Sequence, residues 1–373
     1  MVVKVSKPEI NVREKISELD KPSGTAGEAM LRAETPQEQF NLIGAGRRNL
    51  IINGGFDVWQ RGNSFGSSPG YTADRWWAQS NHTGSAITQE EFAIGQTEVP
   101  NNPRYFLRSS LTYRTTAGDR IAWGHKIENW RGLVNQTLTI SGWYRRTAII
   151  YGTGVQLVMK QSSSFYDSSG LAGSPATDDV FPLTSDWKPF KYTFFVPSSI
   201  VGTMSSSASF DIRLYYQTCY GAGNFDIANV QLEYGNTATP FEHRSYGEEL
   251  ALCQRYYQRI QASSDNYKHF GLHFCAVDTG GTSYGTAAIP LVTTMRGIPA
   301  LITTGTVSDY AVYAKNTNFP CTALSIDTGI DDGTISGNLY INAYTGSGNT
   351  AGAAGALRAN NTASAFIALD AEL

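Results

Sequence analysis

The tightest constraint on this chain is a two-residue alternation that returns through its middle. In TLTISGWYRR, residues 137–146, Leu138, Ile140 and Tyr144 share one face, while Thr139, Ser141, Trp143 and Arg145 share the other. WKPFKYTFFV (187–196) repeats the pattern with Phe190, Tyr192, Phe194 and Val196. ASFDIRLYY (208–216) sets Phe210, Ile212, Leu214 and Tyr216 against Asp211, Arg213 and Tyr215. Strands that are apolar on one face must stack sheet on sheet, which predicts a sandwich or jelly roll of about 200 residues. Composition agrees, because 37 Gly, 20 Tyr and 17 Phe with only 16% charged residues favour twisted strands and tight turns. The expected class is all-β: a jelly-roll sandwich, then a smaller β-domain, behind a short helical or extended N-terminal arm.

Texture divides the chain into four parts. Residues 1–48 carry 8 Lys/Arg and 7 Asp/Glu and read as two short helical pieces broken at Lys21-Pro22 and Thr35-Pro36. Their thin apolar stripe of Ile10, Ile16 and Leu19 cannot sustain a domain, so this arm is either a solvated tail or a segment that orders against a partner. Residues 49–245 hold the alternating strands. Residues 246–261, YGEELALCQRYYQRI and its neighbour, space Leu250, Cys253, Tyr257 and Ile260 for one helical face and predict a helical connector. Residues 262–373 have 12 charged positions, much Gly, Ala and Thr, and a hairpin-like GIDDGTISG (329–337). Such low bulk predicts a small β-domain whose core is completed at an oligomer interface.

The opening of the second part, NLIINGGFDVW (49–59), reads as a first strand, with Asn53-Gly54-Gly55 as a bend or bulge. Trp59 and one of the Trp76-Trp77 pair are expected in the core, since adjacent strand residues face opposite ways. Trp123 is also expected in the core.

Recognisable catalytic chemistry is absent from the pattern. There is no P-loop, nucleophile elbow, HExxH or EF-hand spacing, and the reading is of a non-enzymatic protein. His269 and His273 are four apart in an extended segment, which does not suit a shared metal. Cys219, Cys253, Cys275 and Cys321 show no metal spacing and read as buried thiols. A net charge of -3 offers no general attraction to nucleic acid, and no run of apolar residues is long enough to span a membrane. The start, MVVKVSKPEI, has no signal-type apolar region, so synthesis in a cytosol is expected. Binding is better supported. Trp143 and Tyr215, in phase with Arg145, Asp211 and Arg213, offer flat rings bordered by charged hydrogen-bonding groups, the combination a sugar requires, unless another layer covers that face. Asp57 and Asp226 are candidate oxygen ligands for a structural calcium at the sandwich edge, or ordinary turn and strand-end acceptors. No other cofactor is implied.

RRNLIINGGFDVWQRG, then YTADRWW, then FDIANVQLEYGNTATPFEHR together resemble the carbohydrate-binding-module-like jelly roll of tail-fibre and virion structural proteins of tailed bacteriophages. EELALCQRYYQRI, IPLVTTMRGIPAL and the ending LDAEL are similar to the module that often follows it, and the leader resembles those of marine and cyanobacterial phage proteins. The resemblance implies a non-enzymatic, oligomeric virion component, and the leading reading is a homotrimeric tail fibre or appendage. Its residues 1–48 would dock to other virion proteins and its β-domains would face host surface glycan. The alternatives are a capsid-surface decoration without sugar binding, or a glycan depolymerase.

Overall fold

A computed structural model of the chain describes residues 48–67, 70–80, 85–111, 121–128, 130–147, 150–151, 154–160, 181–196, 198, 209–216, 218–219, 222–262, 265–277, 283–327, 337–346 and 354–372. The N-terminal arm, apart from Arg48, and the GIDDGTISG hairpin, apart from Gly337, lie outside the described residues.

The strands of the first body are β1 (Ser64–Phe65), β2 (Gly70–Tyr71), β3 (Trp76–Ser80), β4 (Ala86–Glu91), β5 (Tyr105–Leu111), β6 (Ile121–Ile127), β7 (Thr137–Arg146), β8 (Ile150–Tyr151), β9 (Gly154–Lys160), β10 (Thr184–Phe195), β11 (Ser209–Tyr216), β12 (Thr218–Cys219) and β13 (Gly223–Tyr234). One antiparallel sheet has the order β1-β4-β5-β13-β7-β10 and the other β2-β3-β6-β11-β9, while β8 and β12 form a small ribbon. From β5 onward the longer strands alternate between the sheets, which is jelly-roll connectivity. The two-residue period builds the core between them. Leu138, Ile140 and Tyr144 from β7 meet Phe210, Ile212 and Leu214 from β11, with Trp123 stacked on Phe225 at 5.0 Å. Pro189 is tolerated inside β10 because that strand is the edge of its sheet and its missing N–H leaves no gap in a ladder.

The stretch 49–59 forms a chain of turns, not the expected strand. Its backbone is held by a few specific bonds: Leu50 N–H donates to Leu232 O at 2.9 Å, and Asn49 Oδ1 accepts from the Ile51 and Leu232 amides. Asn53 and Phe56 adopt φ of 60° and 58°, a left-handed geometry no strand contains. A Cβ on Gly54 would lie 2.1 Å from the Val230 carbonyl, so only glycine lets this turn press against β13.

Helix α1 (Tyr246–Gln254) begins at Ser245, whose side chain accepts the Glu248 amide, and buries Glu249 and Cys253. It ends six to seven residues before the expected helical connector does. Tyr257–Gln261 is strand β14, paired with β22 (Phe366–Asp370), because Tyr257 and Ile260 satisfy a sheet ladder that the charged helix could not bury. With β17 (Ala300–Thr303), these make a three-stranded sheet. The remaining strands, β15 (His269–Val277), β16 (Ser283–Pro290), β18 (Tyr310–Ala314), β19 (Thr317–Ile326), β20 (Asn338–Thr345) and β21 (Ala354–Ala359), close into a barrel. Its low-bulk sequence has a local explanation: Ala287, Ala343 and Ala359 pack beside Ile341, Val312 and Leu357 in a lumen too narrow for larger side chains. Among the described residues no helix is long and apolar enough to cross a membrane.

Candidate functional site

The outer face of the six-stranded sheet carries a small aromatic cluster. Phe92, Phe106 and Trp187 lie 4.7–5.3 Å apart, and Trp143 packs against them half-exposed. Beside Trp143 opens a cleft of ≈520 Å³ floored by Ser141, Gly142 and Gln231 and walled by Pro100, Lys191 and Phe241. The wall at 238–241 is stapled to the sheet. Gln231 Nε2 donates to Thr239 O at 3.3 Å, its Oε1 accepts the Glu242 amide at 2.8 Å, and Glu233 accepts the Thr239 amide at 3.1 Å.

Asn229 connects this cleft to a polar recess of ≈200 Å³ lined also by Gly55, Asp57, Asn101, Asn102, Pro103, Arg104 and His243. It occupies a bulge where the β13–β7 register slips between Ala228 and Gln231, at φ 49°. The Gly54 turn pins that bulge through the Val230 amide, which donates to Gly54 O at 2.9 Å. The Asn-Gly-Gly step thus acts through the bulge to position a site residue. Asn229 is 3% exposed, and its Oδ1 has no hydrogen-bond partner. Burial, then the charge of Glu249, pushes the Asp57 carboxyl up to about 6 against the opposing pull of Arg104.

The residues expected to form one sugar platform are divided between the two sheets. Trp143 lines the cleft. Arg145, on the same face, is spent elsewhere: it donates to Asp226 at 2.8 Å and lies over Trp187 at 4.9 Å. Asp211, Arg213 and Tyr215 belong to β11 of the other sheet, so they cannot share a ligand surface with Trp143. Asp211 is fully buried and Arg213 is 7% exposed, packed over Trp77 at 5.0 Å. Tyr215 is placed by its backbone opposite Ala122 and Gly154, and its side chain lies outside the described residues. The calcium pairing is also corrected. Asp226 accepts from both Arg108 and Arg145 at 2.8–3.0 Å, so its oxygens are already neutralised by guanidinium groups, while Asp57 faces the recess. Among the described residues no group of three or more His, Cys, Asp or Glu could hold a metal ion.

No protein-family model and no curated protein matches the chain. Solved structures do resemble it. The enzymatically active domain of tailspike protein 4 of bacteriophage CBA120 is 14% identical over 50% of this chain, with a TM-score of 0.32, and the match spans only 21% of that domain's chain. A family 11 carbohydrate-binding module of a Clostridium thermocellum cellulase is 16% identical, covering 48% of this chain and 97% of that one, at a TM-score of 0.27. The tandem family 22 modules of a Paenibacillus barcinonensis xylanase are 12% identical over 87% of this chain and 98% of theirs, at 0.28. At such values, what this chain binds has to be read from its own residues.

The outer face of the five-stranded sheet is covered by charge and by the second body. Trp76 and Trp77 face opposite ways, as expected, and both are fully buried. Trp76 enters the sandwich core, and Trp77 turns outward over Gly124, where a Cβ would sit 2.1 Å from its ring. Around them Arg75 pairs with Glu372 and lies 3.6 Å over Tyr256, while Arg61 bridges Asp370 at 3.1 Å and lies 3.6 Å over Tyr257. Glu128 accepts from Arg255 at 2.7 Å and Tyr256 at 2.6 Å. Asp370 and Glu372 therefore clasp the two bodies together. Strand phase did not reveal the recess residues Asn101, Asn102 and Asn229; the one local signal was Pro-Asn-Asn-Pro at 100–103, a turn signature.

Proposed function

We propose that the chain is a non-enzymatic phage virion protein, a trimeric tail fibre or appendage, that recognises host surface glycan in the Trp143 cleft. One observation carries the recognition: a half-exposed indole, backed by a rigid aromatic cluster, stands beside Ser141, Lys191, Gln231 and the unpartnered Asn229 Oδ1. A sugar ring needs that pairing of a flat apolar surface with a few fixed donors and acceptors. Among the described residues the cleft is lined by no carboxylate and the adjoining recess by Asp57 alone, whereas glycoside hydrolysis uses two, which supports binding over cleavage. The virion assignment rests on the sequence resemblance, with residues 1–48 as the docking arm and the particle as the site of action.

The test is a glycan array of bacterial surface polysaccharides probed with the full chain, Trp143→Ala and Trp143→Phe, each checked for folding by thermal unfolding. The expected result is a loss of about tenfold or more in affinity for Trp143→Ala, from one lost stacking contact, with partial retention in Trp143→Phe. Folded Trp143→Ala that binds as tightly as the parent would remove the cleft from consideration.

A further inference from the structure

Resting on that reading, we propose that the recess lined by Asp57, Asn101, Asn102 and Asn229 is a second sugar subsite. It takes a neutral hexopyranose by its vicinal hydroxyls and makes the cleft a reader of disaccharides and longer chains.

Asn101 and Asn229 line both cavities, so a chain stacked on Trp143 passes directly into the recess. The recess has the volume for one further ring. Arg104 is paired with Glu91 at 3.1 Å, but the Asn229 amide oxygen in the recess wall is unpaired. Asn229 is more than nine-tenths buried with an orphan Oδ1, and a buried acceptor without a donor is costly unless something supplies one. Asp57 draws on burial and charge alone, with no hydrogen bond to its carboxyl. Gly55 leaves room for that carboxyl, since a Cβ there would lie 2.8 Å from Asp57 Oδ2. Asn101 and Asn102, at φ 67° and 47°, occupy the left-handed region that asparagine tolerates, and their amides stand at the rim.

Charge selects the class of sugar. The groups facing Asp57 are Arg104 from the β4–β5 loop, His243 from the segment before α1, and Glu249 from α1 behind it. Burial lowers the His243 pKa, so this ring is uncharged near neutrality. Arg104, which also donates to Glu91 at 3.1 Å, opposes Asp57 within the recess, leaving no net positive field for a uronate. An ionised carboxylate accepts two hydroxyls side by side, and the asparagine amides can both donate and accept.

Isothermal titration of the full chain tests this with neutral gluco-oligosaccharides of increasing length, and with glucosamine and glucuronate oligomers as charged probes. The expected results are a jump of about tenfold in affinity from monosaccharide to disaccharide and a rise of several-fold as the pH climbs from about 5 to 7.5. Asp57→Asn should remove both the jump and the pH dependence, Asn101→Ala should weaken the disaccharide selectively, and Trp143→Ala should weaken binding about tenfold or more at every length. Asp57→Asn and Asn101→Ala that keep the parent's length and pH dependence while Trp143→Ala loses binding overturn the second subsite and leave the Trp143 reading standing. Parental binding by all three variants overturns both. Tighter binding of a charged oligomer, or no binding of any neutral one, overturns the neutral-sugar assignment.

Discussion

The two outer faces of the sandwich look alike in sequence and differ completely in use. Trp143 and Arg145 on one, and Asp211, Arg213 and Tyr215 on the other, alternate with core residues in the same phase. On the six-stranded sheet that face stays open, and its polar groups line a cleft with their hydrogen-bonding capacity partly unspent. On the five-stranded sheet it is roofed over, so Arg75 and Lys126 are each 1% exposed and the charges are spent on one another and on the second body. The same kind of residue serves recognition where water reaches it and cohesion where it does not.

The largest expected effect separates these roles. Arg75 and Glu372 have side chains 1% and 4% exposed, so Glu372→Ala strands a buried guanidinium. A loss of about 3–5 kcal/mol is expected in denaturant unfolding. Glycan affinity measured on the folded fraction should not change. A large affinity loss from Glu372→Ala would place the ligand on the wrong sheet and break the comparison.

How much of this was legible in the sequence follows from what strand phase can and cannot report. Phase assigns a side chain to a face, so Leu138, Ile140 and Tyr144 were readable as core and the all-β sandwich with its following β-domain was readable as the fold. It does not report which sheet a strand joins, because that is set by pairing between β11 and β6, far apart in sequence. Nor does it report what lies on top of a face, which is why Asp211 and Arg213 looked exposed. The helix overran to residue 261 because Tyr257 and Ile260 fit a helical stripe and a strand equally well until β22 supplies the partner. The recess escaped notice because three asparagines in turns and bulges have no period at all.

An intermediate effect concerns acid. His125 sits in the core edge-on to Trp76 and accepts the Ile52 amide through Nε2 at 3.1 Å. Burial, reinforced by the charge of Arg75, holds its pKa well below 6.5. The unfolded chain therefore takes up a proton below pH 6.5 that the folded chain refuses. This part of the stability is complete above that pH and is lost as the pH falls, by up to about 1.4 kcal/mol per pH unit. His125→Gln, which keeps an acceptor for Ile52, should flatten that slope in unfolding curves recorded from pH 7 to 5. An unchanged slope would mean that other groups govern it.

The smallest effect bears most directly on the open face. Asp57 is raised from 3.8 to about 6, so above pH 6 the folded chain holds an ionised carboxylate that the unfolded chain would solvate better. Asp57→Asn should therefore stabilise the protein by about 1 kcal/mol at pH 7.5, once partial solvent screening is allowed for. The gain should shrink as the pH falls from 6 and disappear by about pH 3, below 3.8, where both states carry the proton. A residue that weakens its own fold while sitting unpaired in a recess has the character of a binding group, since stability given up at a site is recovered only when a ligand arrives. Asp57→Asn that destabilises at pH 7.5 would instead make Asp57 a structural partner of Arg104, and the open face would lose its distinction from the closed one.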